Sequence, residues 1–177
     1  MLPRLLQDFS TRRPGVYLQL DELIRELGED ERLVVEPLRR EPLVLVLPTS
    51  HRLASTRRAR LADVAREPLI LFPRAEVPRL HDLIVSLCRA AGFAPRTTQE
   101  AVQFPTILGL VSAGVGIAIV PATVRALRQS GVAYLPLTDR GAVAELALAF
   151  PADRESAVLR EFVQTALDSG RSDRSQP

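Results

Sequence analysis

Cysteine is almost absent from this 177-residue chain, which contains only Cys88. A single cysteine cannot form an internal disulfide and cannot build a thiolate zinc cluster. Long apolar runs are also missing, since no stretch approaches the roughly 20 residues that a membrane-spanning helix needs. The first residues lack the basic start and long apolar core of a secretory signal. These absences predict a cytoplasmic protein with no membrane partner.

Lysine is missing altogether, so all 23 basic side chains are arginine. The formal net charge is only +2, although the isoelectric point is about 9.3. Arginine does not lose its proton in the accessible pH range, so the isoelectric point rises without a strong positive field. The densest basic run, Arg57-Arg58-Ala59-Arg60, has no aromatic neighbours on which bases could stack. The isoelectric point therefore does not indicate a nucleic-acid surface.

Signature motifs of common enzymes are missing as well. No Gly-x-Ser-x-Gly elbow, Walker loop or Gly-x-Gly-x-x-Gly fingerprint follows a strand pattern. The two histidines, His51 and His81, have no second metal ligand at a useful spacing. We therefore predict no catalytic residue, no metal site and no cofactor. An enzyme is the alternative that a histidine–carboxylate pair in a cleft would support.

The most informative stretch that is present is ILGLVSAGVGIAIVP, at residues 107–121. An apolar helical pattern leads to Gly114, at the position after a helix where a positive φ is common. Gly116 then allows a tight turn into the unbroken apolar run Ile117–Val120. Such a run is typical of a buried parallel strand. Because strand and helix patterns alternate along the chain, we predict an α/β fold with a parallel sheet.

The two ends of the chain give weaker patterns. Apolar and polar residues alternate over Val16–Leu20, which predicts a strand. Leu33–Val35 and Leu43–Leu47 are predicted as two strands joined by the charged segment Arg39-Arg40-Glu41. The polar composition of the last residues predicts a disordered tail at 168–177.

Four segments together resemble a known family. They are EPLVLVLPTSHRLA (41–54), LADVAREPLILFPR (61–74), AAGFAP (90–95) and LGLVSAGVGIAIVP (108–121). Their order and spacing resemble the effector-binding domain of LysR-type transcriptional regulators. The resemblance implies two Rossmann-like lobes of periplasmic-binding-protein type, joined by two crossover strands, with an effector in the cleft between them. It implies a first lobe of residues 1–48 plus 142–167 and a second lobe of residues 49–141.

The chain departs from the family pattern in two ways. No helix-turn-helix domain is visible, so DNA could be bound only through a domain that this sequence lacks. The first lobe is incomplete, because Asp21–Arg32 is mostly charged where relatives have a helix and a strand. Two hypotheses follow. The chain is either a sensor of an aromatic acid or small carboxylate, or a truncated remnant that dimerises without sensing. The family also implies a homodimer.

The resemblance places the effector at two helix starts. Helix N-termini present N–H groups and a partial positive charge, which favour carboxylates. The residues implied as effector contacts are Pro78, Arg79 and Leu80 at one start and Gln103, Phe104 and Thr106 at the other. The alternative is that Pro78 is simply a first-turn proline and Phe104 a core aromatic.

Arg39 and Glu41 are a further candidate pair. In some relatives an arginine and a glutamate at these positions line a secondary effector pocket. The alternative is a surface ion pair, which contributes little to stability.

Overall fold

The computed structural model describes residues 2–17, 32–153 and 156–172. Within these residues the helices are α1 (Leu2–Arg12), α2 (Pro78–Ala90), α3 (Phe104–Ser112) and α4 (Ala157–Ser172). The strands are β1 (Leu33–Pro48), β2 (Pro68–Leu71), β3 (Arg96–Glu100), β4 (Ile117–Pro121), β5 (Val132–Pro136) and β6 (Val143–Pro151). Two short 3₁₀ helices are formed by Leu61–Val64 and Ala122–Leu127. None of the helices in the described ranges is long and apolar enough to cross a membrane.

The described residues fall into two compact units. The first contains 2–17, 32–40, 145–153 and 156–172, and the second contains 41–144. The chain therefore passes between the units within β1 and again within β6. The family's lobe division, at 48/49 and 141/142, stays a prediction.

The sheet is mixed, so the prediction of a parallel sheet is confirmed for β2, β3 and β4 and is wrong for β1 and β5. Its strand order is β3-β2-β4-β1-β5, and β6 also pairs with β1. β2 runs parallel to β3 and to β4, whereas β1 is antiparallel to β4 and to β5. The difference has a topological cause. Parallel neighbours are linked by crossover connections, but β1 enters the second unit directly from the first.

β1 is one strand of 16 residues, which corrects the prediction of two strands with a charged connection. The charged residues continue the strand because β6 pairs alongside it.

The strand predicted over Val16–Leu20 is not formed at its first two residues, since Val16 and Tyr17 are not in a strand. Residues 18–31, on which the rest of that strand and most of the charged segment Asp21–Arg32 fall, lie outside the described residues.

The core of the second unit is built around the middle strands of the sheet. Leu43–Leu47 of β1 are at most 1% exposed on both faces of the strand, and Ile117–Val120 of β4 are buried beside them. α2 and α3 bury Ile84, Leu87, Ile107, Leu108 and Val111 in the same core. Gly114 has a φ of +75°, as its position after the helix predicts. The predicted helix, glycine turn and buried strand are confirmed in this segment.

The first unit has a smaller core between its two helices and β1. Phe9 of α1 and Phe162 of α4 meet edge to face, with ring centroids 5.1 Å apart. α4 continues to Ser172, so the predicted disordered tail is wrong for residues 168–172. Gly170 allows this extension. It is buried against the Leu38 carbonyl, and a Cβ at this position would lie 2.6 Å from the carbonyl oxygen, so only glycine fits there. Residues 173–177 lie outside the described part of the chain.

Candidate functional site

Three helix starts lie at one edge of the second unit. The parallel strands β3, β2 and β4 are adjacent in the sheet, so their carboxyl ends meet at the same edge. β2 leads to α2, β3 leads to α3, and β4 leads directly into the 3₁₀ helix Ala122–Leu127. We call this region the carboxyl edge. In α/β folds ligands bind beyond the carboxyl ends of parallel strands, which makes the carboxyl edge the candidate site.

The start of α2 contains the first three predicted contact residues. The helix begins at Pro78, after the N-cap Val77, which supplies no side-chain hydrogen bond. The first hydrogen bond back along the helix runs from the His81 N–H to the Val77 carbonyl. Arg79 is exposed, while Leu80 is half-buried and packs against the core. Pro78 also fits the alternative, since proline is preorganised for the first helical position.

The start of α3 contains the other three. Gln103 is the N-cap residue, and its side chain makes no capping hydrogen bond. Gln103 and Thr106 are exposed, whereas Phe104 is half-buried against the core. The Phe104 ring meets the Phe72 ring nearly edge to face, with centroids 5.8 Å apart and an interplanar angle of 80°. The structure thus brings all six predicted residues to the carboxyl edge, and it gives Phe104 the packing role that the alternative describes.

Two side-chain contacts that the sequence did not reveal hold the loop after β2 against α2. His81 Nδ1 donates to the carbonyl oxygen of Phe72 at 2.8 Å. Arg74 donates from Nε and Nη2 to the two carboxylate oxygens of Asp82, at 2.7 and 2.8 Å. The hydrogen bonds from Arg74 hold the pKa of the Asp82 carboxyl below its usual value. No helical or strand spacing relates residues 74 and 82, so the pair leaves no periodic signal in the sequence.

Glu41 caps the third helix start, which is that of the 3₁₀ helix Ala122–Leu127. Its carboxylate is buried, with 8% of the residue exposed, and Oε1 accepts a hydrogen bond from the Thr123 N–H at 2.6 Å. A carboxylate at a helix N-terminus satisfies a donor that has no partner within the helix. Glu41 is therefore not a surface carboxylate, as the alternative of a surface ion pair with Arg39 assumed. Arg39 is half-buried, and the secondary effector pocket of Arg39 and Glu41 stays a prediction.

The remaining candidate residues have structural roles. His51 accepts from the Leu53 N–H at Nδ1, and its Nε2 lies 3.2 Å from Glu67 Oε1. Cys88 is fully buried in the core, and burial raises the pKa of its thiol to about 11. Within the described residues, no three or more histidine, cysteine, aspartate or glutamate side chains are grouped to hold a metal ion.

Comparison with known proteins identifies the family. The sequence profile of the LysR substrate binding domain matches residues 23–171. The HTH-type transcriptional regulator TtuA of Agrobacterium vitis is 34% identical over 194 residues, covering 95% of this chain. The chain spans 64% of the length of that regulator. These relatives are named as transcriptional regulators.

Solved structures show the same fold. The effector-binding domain of BenM with its effector benzoate superposes with a TM-score of 0.83 at 23% identity, over 99% of this chain and 89% of that one. The effector-binding domain of QuiR in complex with shikimate gives a TM-score of 0.79 at 20% identity, over 97% and 91% of the two chains. The predicted α/β fold of periplasmic-binding-protein type is confirmed. The chain belongs to the LysR substrate-binding domain family.

Proposed function

We propose that this chain is the effector-sensing domain of a LysR-type transcriptional regulator and that it binds an aromatic acid or another small carboxylate. The observation that carries the proposal is the pair of helix starts at the carboxyl edge. α2 and α3 both begin there, and neither N-cap residue caps its helix with a side-chain hydrogen bond. The third helix start at this edge takes a carboxylate from Glu41. A bound carboxylate would act at α2 or α3 as Glu41 acts at the 3₁₀ helix.

The side chains at the two helix starts suit an aromatic or other compact acid. Arg79 lies in the first turn of α2, where a guanidinium can hold a carboxylate with two parallel hydrogen bonds. Phe104 is half-buried and is held edge to face by the buried Phe72, so its ring is the aromatic surface against which a ligand ring can pack. Gln103 and Thr106 add polar groups at the α3 side. Benzoate and shikimate, the ligands of BenM and QuiR, are both carboxylates.

Sensing requires that the effector favours one conformation of the regulator over another. A ligand shifts such an equilibrium only by its difference in affinity for the two forms. In a longer regulator of this family, the shift would be passed to a DNA-binding domain. DNA binding and a homodimer are part of the proposal for a whole regulator. This chain spans about three fifths of the length of the related regulators.

Ligand-dependent thermal unfolding and calorimetric titration test the proposal. The probes are benzoate, shikimate and a panel of small carboxylates, and benzamide is the neutral counterpart of benzoate. A carboxylate present at about 100 times its Kd stabilises the fold by about 2.7 kcal/mol, which corresponds to a rise in Tm of about 5–10 °C. Benzamide should leave the Tm unchanged.

Two arginine variants locate the site. Arg79→Gln should weaken carboxylate binding about tenfold or more, because it removes a charge-assisted hydrogen bond. Arg66→Gln is the matched control, since Arg66 is an exposed arginine next to the 3₁₀ helix Leu61–Val64. It should bind as the wild type does. If no carboxylate raises the Tm, the chain does not sense such ligands, and the hypothesis of a truncated remnant replaces this one.

A further inference from the structure

We propose that His81 is a specificity-determining residue at the carboxyl edge and that its Nε2 atom selects carboxylate effectors that also carry a hydroxyl group. The inference rests on the proposed function, because it requires a carboxylate bound at the starts of α2 and α3. It adds the chemical class of that carboxylate.

The tautomer of His81 is determined by its contact with the backbone. Nδ1 lies 2.8 Å from the carbonyl oxygen of Phe72. A carbonyl oxygen can only accept a hydrogen bond, so Nδ1 carries the hydrogen and donates it. In the neutral imidazole the second nitrogen, Nε2, then carries no hydrogen and is an acceptor. The backbone contact thus gives the ring one defined acceptor.

His81 adjoins the residues proposed as effector contacts. It is the fourth residue of α2, directly after Pro78, Arg79 and Leu80. Its anchor, Phe72, is the residue after β2, and the Phe72 ring contacts Phe104 in the first turn of α3. His81 therefore belongs to the start of α2 and is linked through Phe72 to the start of α3.

The acceptor atom of the ring is available. The two ring nitrogens lie on opposite sides of the imidazole, so Nε2 faces away from the Phe72 carbonyl. Within the described residues Nε2 makes no hydrogen bond, and His81 as a whole is half-buried. The neighbouring carboxylate, Asp82, is held by Arg74 in a two-pronged contact.

This arrangement makes two different demands on a ligand. The helix starts and Arg79 supply donors and positive charge, which a carboxylate satisfies. Nε2 of His81 needs a hydrogen, which a carboxylate cannot offer and a hydroxyl can. A site with a hydrogen-bonding group disfavours the analogue that lacks the matching group, because its own polar atom is left unpaired. Hydroxylated acids should therefore bind more tightly than the parent acid.

Calorimetric titration of the wild-type chain with benzoate, its three monohydroxy isomers and their methoxy counterparts tests the inference. The measurement is made near pH 8. We expect at least one hydroxybenzoate to bind about fivefold more tightly than benzoate, the gain of one neutral hydrogen bond. The methoxy counterpart of that isomer, which has lost the donor, should lose the gain.

Variants of His81 assign the preference to this residue. His81→Leu should lose the preference for the hydroxyl, so that benzoate and the hydroxybenzoate bind this variant with equal affinity. His81→Gln should retain part of it, since the amide offers both an N–H and an acceptor oxygen. His51→Gln, which changes the histidine paired with Glu67, is the control and should keep the wild-type preference.

The outcomes separate this inference from the proposed function. Equal affinity for benzoate and all three hydroxybenzoates, or a preference that survives in His81→Leu, overturns the role of His81 while carboxylate sensing stands. Failure of every carboxylate to bind overturns the proposed function and this inference with it. If His81→Leu does not fold, His81→Gln assigns the preference, and equal affinities in the wild type overturn the role of His81 without any variant.

Discussion

Replacement of two glycines in one segment by alanine should change stability in opposite directions. Gly109 lies in α3, and a Cβ built there has no atom within 4 Å outside its own helix. Gly116 lies just before β4, and a Cβ there would be 2.6 Å from the carbonyl oxygen of Pro68 and 3.3 Å from Cγ1 of Ile70. The chemical change is the same at both positions, so any difference in sign comes from the surroundings.

The sizes of the two effects follow from these contacts. Gly109→Ala should raise the free energy of unfolding by up to about 1 kcal/mol, the difference in helix propensity. At Gly116 the obstructing oxygen belongs to the backbone of β2, which is paired with β4 through Leu69 and Ile117. It cannot move without displacing a paired strand. Gly116→Ala should therefore lower the free energy of unfolding by about 2–3 kcal/mol, which is typical of overpacking a core.

Urea unfolding followed by circular dichroism measures both changes, and thermal unfolding provides an independent check. For a chain of this size, 1 kcal/mol corresponds to about 2–4 °C in Tm. We expect Gly109→Ala to unfold about 2–3 °C above the wild type and Gly116→Ala about 5–10 °C below it. If Gly116→Ala is within about 0.5 kcal/mol of the wild type, the close approach of Gly116 to β2 does not exist in solution and the argument fails.

Three further predictions concern ionisable groups. Glu41→Ala should lower the free energy of unfolding by about 2 kcal/mol, because the Thr123 N–H loses a charged acceptor. Glu145→Ala, which removes an exposed pair at 3.7 Å, should change it by at most about 0.5 kcal/mol in the same urea titration. The pKa of Asp82 is lowered on folding by Arg74, so their contact stabilises the fold above the ordinary aspartate pKa of about 4 and is lost at lower pH. In urea unfolding between about pH 5 and pH 3 the wild type should therefore lose more stability than Asp82→Asn, and equal losses would contradict this. Cys88, whose pKa is raised by burial to about 11, should not react with a thiol reagent in the native state near pH 8 and should react once urea unfolds the chain. Rapid labelling of the native protein would show that the thiol is accessible.

The parts of the fold that depend on local chemistry could be predicted from the sequence. Gly114 ends a helix with a positive φ, because glycine adopts this conformation without strain, and Pro78 begins a helix, because proline fixes φ near the helical value. The buried run Ile117–Val120 is equally clear, since four consecutive apolar residues between a glycine turn and a proline suit a buried strand. Local patterns of this kind located the two helices, whereas the six residues proposed for the site were implied by the family resemblance.

The parts that failed depend on partners distant in sequence. The direction of β1 relative to β4 and β5 is a property of the pairing, and no pattern within β1 encodes it. The end of α4 also depends on a partner distant in sequence. Gly170 and the polar composition around it suggest that the helix ends there. The helix continues because Gly170 can approach the Leu38 carbonyl of β1. His81 is an example from the candidate site. Its tautomer depends on the carbonyl of Phe72, which follows β2, whereas His81 itself lies in α2.

Glu41 shows how the register of one strand pair creates part of the site. Next to two arginines, a glutamate in a charged segment is expected to be solvated, and nothing local distinguishes it. The antiparallel register pairs Leu43 with Pro121, so the same register continued by two residues places Glu41 opposite Thr123. Thr123 is in the first turn of the 3₁₀ helix, where an N–H lacks an acceptor within the helix. The register therefore brings the Glu41 carboxylate to the start of the 3₁₀ helix Ala122–Leu127, where it caps the Thr123 N–H. A shift of the register by one residue would turn the Glu41 side chain to the opposite face of β1 and remove this cap, so capping of the 3₁₀ helix depends on the alignment of β1 with β4.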